Sequence, residues 1–555
     1  MLSALARLLR GGGAPAAAPA AQPAPKADLH ALLAAPLAAL SEGQREEAIA
    51  LLEAILRDHP EFADGHVLLG TILHEQKRLE EARDSFLLAS WFRPEWWPPH
   101  FHAGMLALDE RRYADAAASL VKAVELGAQE ARVHNALGAA YLHARNVSGA
   151  IDEFRKALSL QPDLARAHSD LGCALFSELE QYEEGSHHIG RALELAPHDS
   201  AVLSSWMMVL NHRGETAEAL RLGDELLTRE PGLVEARLNR ALMLLREADF
   251  ARGWPDYEAR KRLPRNTCTS DAPWPEWDGS PLAGRGIFVY GEQGLGDEIM
   301  FASCIPELAA SARTCVLECH PKLTKIFGRS FENVQVLAKD AWRATPSPIR
   351  QELDFKVAIG SLPRVLRRSR AQFPPHAGYL RPAPERVLYW KSQLATLPGR
   401  KNLGISWRGG LASSRRSLRS IALDQWLPIL SVRDIDFVSL QYSDQEGELE
   451  ALQRAGVRVH QWQGAIDDYD ETAALVCALD LVVSVQTAVV HLAGALGREV
   501  WALIPATPEW RYGASGDVMP WYPSARLIRQ ARLGDWDPVV QTVAVDLQAW
   551  VDTPR

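Results

Sequence analysis

The stretch ARVHNALGAAYLHARNVSGAIDEFRKALSLQP, residues 131–162, decides how the first half of this chain folds. Within it a small residue, Gly138, is followed by a second, Ala150, and by Pro162 at the close. The same spelling recurs at a fixed step of 34 residues. Gly70, Gly104, Gly138 and Gly172 hold the first place, and Ala48, Ala82, Ala116 and Ala150 the second. Pro60, Pro94, Ala128 and Pro162 hold the third. A one-residue insertion near Glu178–Gln181 shifts the series, which continues as Gly185, Ala219 and Gly253 and as Pro197 and Pro231. This period predicts helix pairs that cross too closely for large side chains, each pair ended by a proline that cannot continue a helix. A single pair cannot bury its own apolar face, so neighbours stack into a superhelix with a concave surface. Six full units run from about Asp28 to Gly232, and a seventh, modified one ends near Arg262.

These residues resemble the tetratricopeptide repeat family, over nearly half the chain. The resemblance implies a groove that binds an extended segment of a protein partner. Nothing in the repeats reads as catalytic. His187 and His188 are adjacent, so a helix turns them about 100° apart rather than toward one metal, and a solvated face is the expectation. Trp91, Trp96 and Trp97 with Phe92 and Phe101 either pack a widened turn or offer an aromatic docking patch.

Composition sets the outer bounds. A chain of 555 residues, 47% hydrophobic and 23% charged, is globular and too long for one core. Its net charge of -10, with acids and bases interspersed, argues against a dedicated nucleic-acid binder. Six scattered cysteines show neither CxxC spacing nor a disulfide framework, so a reducing, cytoplasmic setting is expected. No apolar run reaches the ~18 residues of a membrane span. Residues 1–27 are rich in Ala and Pro and read as a disordered N-terminal segment.

After residue 262 the pattern changes. A connector over 263–283 carries Pro273, Trp274, Pro275, Trp277 and Gly279, and short apolar runs then alternate with helical ones. Ile287–Tyr290, Thr314–Cys319, Val334–Leu337 and Phe355–Ile359 make one series of strands. Leu403–Trp407, Phe437–Gln441, Val457–Gln461, Leu481–Val485 and Val500–Ile504 make a second, after the helical stretch Pro384–Leu397. Alternating strands and helices imply parallel sheets, here two Rossmann-like halves over 284–398 and 399–555. Ligands in such halves sit beyond the carboxyl ends of strands.

Three stretches fall at strand ends. The first, Gly291-Glu292-Gln293-Gly294-Leu295-Gly296-Asp297-Glu298, combines glycines that admit a close ligand with an acid at a helix start. Asp297 there reads either as a helix cap or as a general base. The second is Ser406-Trp407-Arg408-Gly409-Gly410, followed by Arg415, Arg416 and Arg419, a phosphate site or a solvated basic loop. The third, Ser484 to Gly497, turns from a buried strand into a helix whose first N–H groups, around Thr487 and Ala488, form an anion site. His491 stands one turn in, able to reach a ligand or simply to pack.

Taken in order, these motifs look like the bacterial tetratricopeptide-repeat glycosyltransferases, whose catalytic part is similar to the heptosyltransferase family. The resemblance covers about 260 residues and implies an α-helical superhelix followed by an α/β GT-B domain of two Rossmann-like halves, the first on the acceptor side and the second on the nucleotide-sugar side. It assigns Asp297 as catalytic base, with Gly294 and Gly296 in its glycine loop. It also assigns Arg408, Arg419, Ser420, Gln486, Thr487, Ala488 and His491 to donor binding. Pro505, Trp510-Arg511 and Trp521-Tyr522-Pro523 look like the family's C-terminal end. Gln486 departs from the pattern, since an acid is usual before the threonine.

The implied activity is metal-independent and inverting, with no cofactor beyond the nucleotide-sugar. The sugar would pass to Ser/Thr hydroxyls of a protein held by the repeats, with flagellin the first candidate. The alternative is a non-catalytic adaptor carrying a degenerate GT-B domain. Two further readings are weaker: a metal site at Asp434-Ile435-Asp436, and a dinucleotide site using Glu318. The glycines run GxxGxG rather than GxGxxG, which counts against the second.

Overall fold

The computed structural model describes residues 29–263, 268–344, 347–410, 416–442, 447–454 and 456–553. The segment 1–27 and Arg415 lie outside them. The chain forms two compact units divided after Val202.

In the first unit the period appears as stacked helix pairs. The opening stretch forms Ala131–His143 and Val147–Leu160. The small residues sit where expected: a side chain begun at Gly138 would fall 2.6 Å from the Phe154 ring, and Gly70 and Gly104 meet Phe86 and Leu120 as closely. Ala48, Ala82, Ala116 and Ala150 are wholly buried.

A second 34-residue series, His66, His100, His134 and His168, runs through the array, and the structure shows what several of its members touch. His66 Nε2 lies 2.8 Å from the Pro60 carbonyl oxygen, and His168 Nε2 lies 2.9 Å from that of Pro162. Each imidazole thus ties the start of one repeat to the proline closing the repeat before. Where Ala128 replaces the proline, His134 Nδ1 lies 2.6 Å from Glu153 instead. His188 is not simply solvated, because its Nδ1 lies 2.9 Å from His168 Nδ1 between adjacent repeats. Trp97 packs edge-on against buried Phe101, and Arg93 lies over Trp96, whereas Trp91 is exposed.

The second unit begins inside helix Ser200–His212 and takes in Thr216–Arg229, Val234–Arg246 and Phe250–Tyr257 before the sheets start. The seven helix pairs of the described residues therefore agree with the expected repeats. The compact boundary, though, falls within the array and not at 262. The cause is apolar: Leu245, Phe250, Trp254 and Tyr257 share one buried cluster with Ile287, Phe301, Trp510 and Trp521.

The first sheet holds β1 (Gly286–Tyr290), β2 (Thr314–Cys319), β3 (Gln335–Ala338) and β4 (Phe355–Ala358), all parallel, in the order β3-β2-β1-β4. The second holds β5 (Lys401–Ser406), β6 (Ile435–Ser439), β7 (Val459–His460), β8 (Leu481–Val485), β9 (Val500–Ile504), β10 (Val518–Met519) and β11 (Tyr522–Arg529). Its order is β10-β11-β9-β8-β5-β6-β7, with only β10 antiparallel to its neighbour. All nine expected strands occur, several shifted by one or two residues, and the expected helix after β4 runs Pro384–Leu394. β10 and β11 were not anticipated. Pro523 stands at the start of β11, where a missing N–H is tolerated.

The connector is pinned rather than loose. The Lys356 N–H donates to the Pro275 carbonyl and the Trp277 N–H to the Lys356 carbonyl, along the outer edge of β4. Among the described residues no helix is long and apolar enough to cross a membrane.

Replacing Gly138 by Val is expected to destabilise the repeat unit by about 1–3 kcal/mol through overpacking against Phe154. Gly232→Ala, where nothing lies within 4 Å of the added carbon, should be near neutral. Thermal melts followed by circular dichroism check both.

Candidate functional site

Each sheet has one point where its strand order reverses. In the first sheet it lies between β1 and β4, and in the second between β5 and β8. At such points the loops leaving the two strands part and open a crevice. The three sequence motifs occupy these places: Gly291–Asp297 follows β1, Ser406–Gly410 follows β5 and Gln486–Thr487 follows β8.

The glycine loop leads into helix Leu295–Ala302, with Gly294 as its N-cap. Asp297 takes the cap role open to it and adds an ion pair. Its Oδ2 accepts the Gly294 N–H at 3.4 Å, capping its own helix. Its Oδ1 accepts Arg511 Nε at 2.7 Å and is also bonded by Nη2 of the same guanidinium. Arg511 belongs to the short turn Trp510–Tyr512 of the second half, so this pair spans the two halves.

Helix Leu295–Ala302 packs on helix Ala488–Ala495. A side chain at Gly296 would begin 3.0 Å from the His491 ring and 3.4 Å from Ala488 Cα, so glycine lets these two helix starts approach without displacing a neighbour. Tyr379, from the segment joining the halves, fastens both: its N–H donates to Ala495 and its phenol to the Ile299 carbonyl.

On the second side Thr487 caps helix Ala488–Ala495, its Oγ1 accepting the Val489 N–H at 3.2 Å. Arg419 Nη1 donates to the Gln486 carbonyl at 3.1 Å, which sets this arginine at the helix start. Arg408 lies 3.5 Å from Glu448, and its N–H donates to the Gln441 side chain, which also holds Trp407. Ser420 makes its contacts within the loop. Its hydroxyl accepts the Gly409 N–H and donates to the Arg416 carbonyl, bracing the loop from within.

Gln486 is 1% exposed, and neither atom of its side-chain amide has a hydrogen-bond partner among the described residues. Such a group is costly unless something pairs with it.

His491 takes the packed arrangement. It is 4% exposed, with Nδ1 3.2 Å from the Tyr522 hydroxyl and Nε2 3.5 Å from that of Tyr512. Burial, with Arg511 and Arg419 nearby, pushes its pKa down to about 3, so it is neutral at pH 7.

Two contacts that the sequence reading missed hold the glycine loop from the repeat side. Arg260, in the last turn of the array, donates to both oxygens of wholly buried Glu292, at 3.1 Å from Nε and 2.5 Å from Nη2. Glu292 also accepts the Gly360 N–H at 3.0 Å, at the end of β4. Tyr257 and Gln293 exchange hydrogen bonds, and Gln293 has a left-handed φ of 65° that this contact stabilises. The only available signal was Glu292 itself, an acid buried between glycines.

Beside Asp297 stands Glu298, 2% exposed, its Oε2 accepting the His320 N–H at 2.7 Å. Burial pushes its pKa up to about 7. Elsewhere, Asp434 precedes β6, and Asp436 accepts the Gly399 N–H, far from any strand end that carries the motifs.

Comparison with known proteins adds two findings. The tetratricopeptide repeat family description matches residues 33–90 and 101–165. Over 381 residues the chain is 32% identical to Protein FlbA of Caulobacter vibrioides (strain ATCC 19089 / CIP 103742 / CB 15), covering 64% of this chain and 63% of that protein. The match therefore spans just under two thirds of the relative's length. Being longer than the whole segment up to residue 262, it reaches into the α/β region.

Solved structures similar to the chain include Pseudomonas aeruginosa PilF, 20% identical, covering 38% of this chain and 96% of that one, with a TM-score of 0.34. YrrB, described as a TPR protein with an unusual peptide-binding site, is 16% identical and covers 33% and 95%, with a TM-score of 0.27. The N-terminal region is a tetratricopeptide array, followed by an α/β region with parallel sheets.

Arg260→Met would leave Glu292 buried without its partner and should destabilise the second unit by about 3–5 kcal/mol. Adding Glu292→Gln should recover part of that loss, as read by urea denaturation. Glu298 gives a pH signature. The native state keeps its proton up to about pH 7, whereas an unfolded glutamate, with its ordinary value of 4.5, releases it earlier. Stability from this group is therefore lost as pH rises from about 4.5 to 7. Glu298→Gln should stabilise the protein at pH 8, by up to about 3 kcal/mol, and change little at pH 4.5. Melts at the two pH values check this.

Proposed function

We propose that the chain is a glycosyltransferase of GT-B type. It moves a sugar from a nucleotide-sugar to a Ser or Thr hydroxyl of a protein recruited by the repeat array. The observation that carries this reading is the company kept by Gln486. A buried amide with no partner among the described residues stands at a strand end, beside Arg419 and a helix start and across from a carboxylate on the opposite half. A ligand with hydroxyls and phosphates would satisfy that amide and suit the positive helix end.

In this reading the donor phosphates lie on the Thr487–Ala488 N–H groups and Arg419, with Arg408 nearby. The sugar lies between these groups and the glycine loop. The acceptor oxygen attacks the anomeric carbon and the bond to the phosphate oxygen breaks. The leaving nucleoside phosphate keeps the electron pair, and Asp297 receives the acceptor proton. Attack from the face opposite the leaving group inverts the anomeric centre. Growing charge on the leaving phosphate meets guanidinium groups and a helix end, so the mechanism includes no metal. The acceptor is a protein because the repeats, as a class, bind protein segments; flagellin remains the first candidate on sequence resemblance.

A thermal-shift screen of UDP, GDP, CMP, ADP and their sugars should find one nucleotide that raises the melting temperature. The matching sugar should be transferred by the wild type and lost in Asp297→Asn, with turnover down by at least about 100-fold. No shift with any nucleotide at millimolar concentration would favour a repeat adaptor without catalysis.

A further inference from the structure

The pair between Asp297 and Arg511 poses a chemical problem for the proposed base. A carboxylate oxygen already accepting two N–H groups of a guanidinium is poorly placed to take a proton from an incoming hydroxyl. The other oxygen caps the helix at Gly294. Arg511 is itself committed on both edges, with Nε and Nη2 on Asp297 and Nη1 3.4 Å from Glu509. Its plane lies over the Trp510 ring, 4.8 Å from the centroid, and its side chain is 15% exposed. It cannot bind a further anion through its Asp297 edge without letting the carboxylate go.

We infer that Arg511 is an exchangeable latch, which holds Asp297 in the free protein and passes to the donor's phosphate when nucleotide binds, releasing the carboxylate to act as base. Three observations support the exchange. Arg511 holds Asp297, whose neighbour Gly296 packs against Ala488, and Arg419 donates to the Gln486 carbonyl two residues earlier, so both arginines stand by the start of one helix. His491, one turn into that helix, lies 3.5 Å from the hydroxyl of Tyr512, the residue after Arg511. The Gln486 side-chain amide, without a partner among the described residues, adjoins the same helix start, where Arg419 holds the Gln486 backbone carbonyl. A diphosphate entering there meets two arginines and a helix start, and it competes with one carboxylate for Arg511. The consequence is ordered chemistry, with the base freed only in the donor-loaded enzyme. Arg511 would then be a residue that touches the donor as well as one that positions Asp297.

This inference rests on the glycosyltransferase reading, and the test separates the two. Calorimetry with inorganic pyrophosphate on the full chain measures anion affinity without knowledge of the base or sugar. Removing the competing carboxylate by Asp297→Asn should tighten pyrophosphate binding at least about fivefold, a counterintuitive gain for a variant that loses transfer. Arg511→Gln should weaken binding about tenfold or more, and in that background Asp297→Asn should bring no gain. Should Arg511→Gln fail to fold, the Asp297→Asn measurement decides alone. Pyrophosphate binding that Asp297→Asn leaves unchanged or weakens overturns the latch while the transferase reading stands. Wild type that binds neither pyrophosphate nor any nucleotide overturns both.

Discussion

Arg260 and Glu292 form a buried ion pair, and the position of the glycine loop depends on it. A guanidinium from the end of the repeat array and a carboxylate from the loop after β1 are both removed from water, with Gly360 supplying a further N–H. Pairs of this kind contribute little net stability compared with a well-packed apolar substitute, but breaking one is costly. Their effect is to fix geometry. Here the geometry fixed is that of the segment carrying Gly294, Gly296 and Asp297. The last helix pair therefore belongs structurally to the α/β region, a conclusion that Trp254 reinforces by donating to the Arg367 carbonyl at 2.7 Å from within the shared core.

From that anchor the remaining site follows by packing. Once the loop is placed, helix Leu295–Ala302 must approach helix Ala488–Ala495 closely, and Gly296 is the residue that permits it. Two helix starts with partial positive charge then lie near each other. Asp297 and Arg511 answer this with a charge pair across the halves, while Arg419 remains at the head of the second helix. One half thus brings a helix start with an arginine beside it, and the other brings a carboxylate held by Arg511.

Much of the fold was legible in the sequence because it rests on periodicity. Small residues at a 34-residue step report helix crossings directly, and apolar runs such as Leu481–Val485 and Val500–Ile504 report buried parallel strands to the residue. The loops at the strand ends were found because glycines, arginines and a helix-starting threonine have few other reasons to collect there. What stayed hidden depends on contacts distant in sequence. Nothing in the spelling of Arg511 announces a partner 214 residues away, and Arg260 reads as one more surface cation in a basic run. The partners of His491 were hidden for the same reason: its burial between Tyr512 and Tyr522 is decided by strand β11 and the turn before it. The boundary at Val202 was likewise invisible, since the repeat period runs straight through it.

The most direct measurement is a crystal structure of the full chain with a bound nucleotide. The account predicts phosphate oxygens within hydrogen-bond distance of the Thr487–Ala488 N–H groups and the Arg419 guanidinium, with the Gln486 amide bonded to the ligand. A nucleotide seated away from these groups, with the Gln486 amide still without a partner, would contradict it.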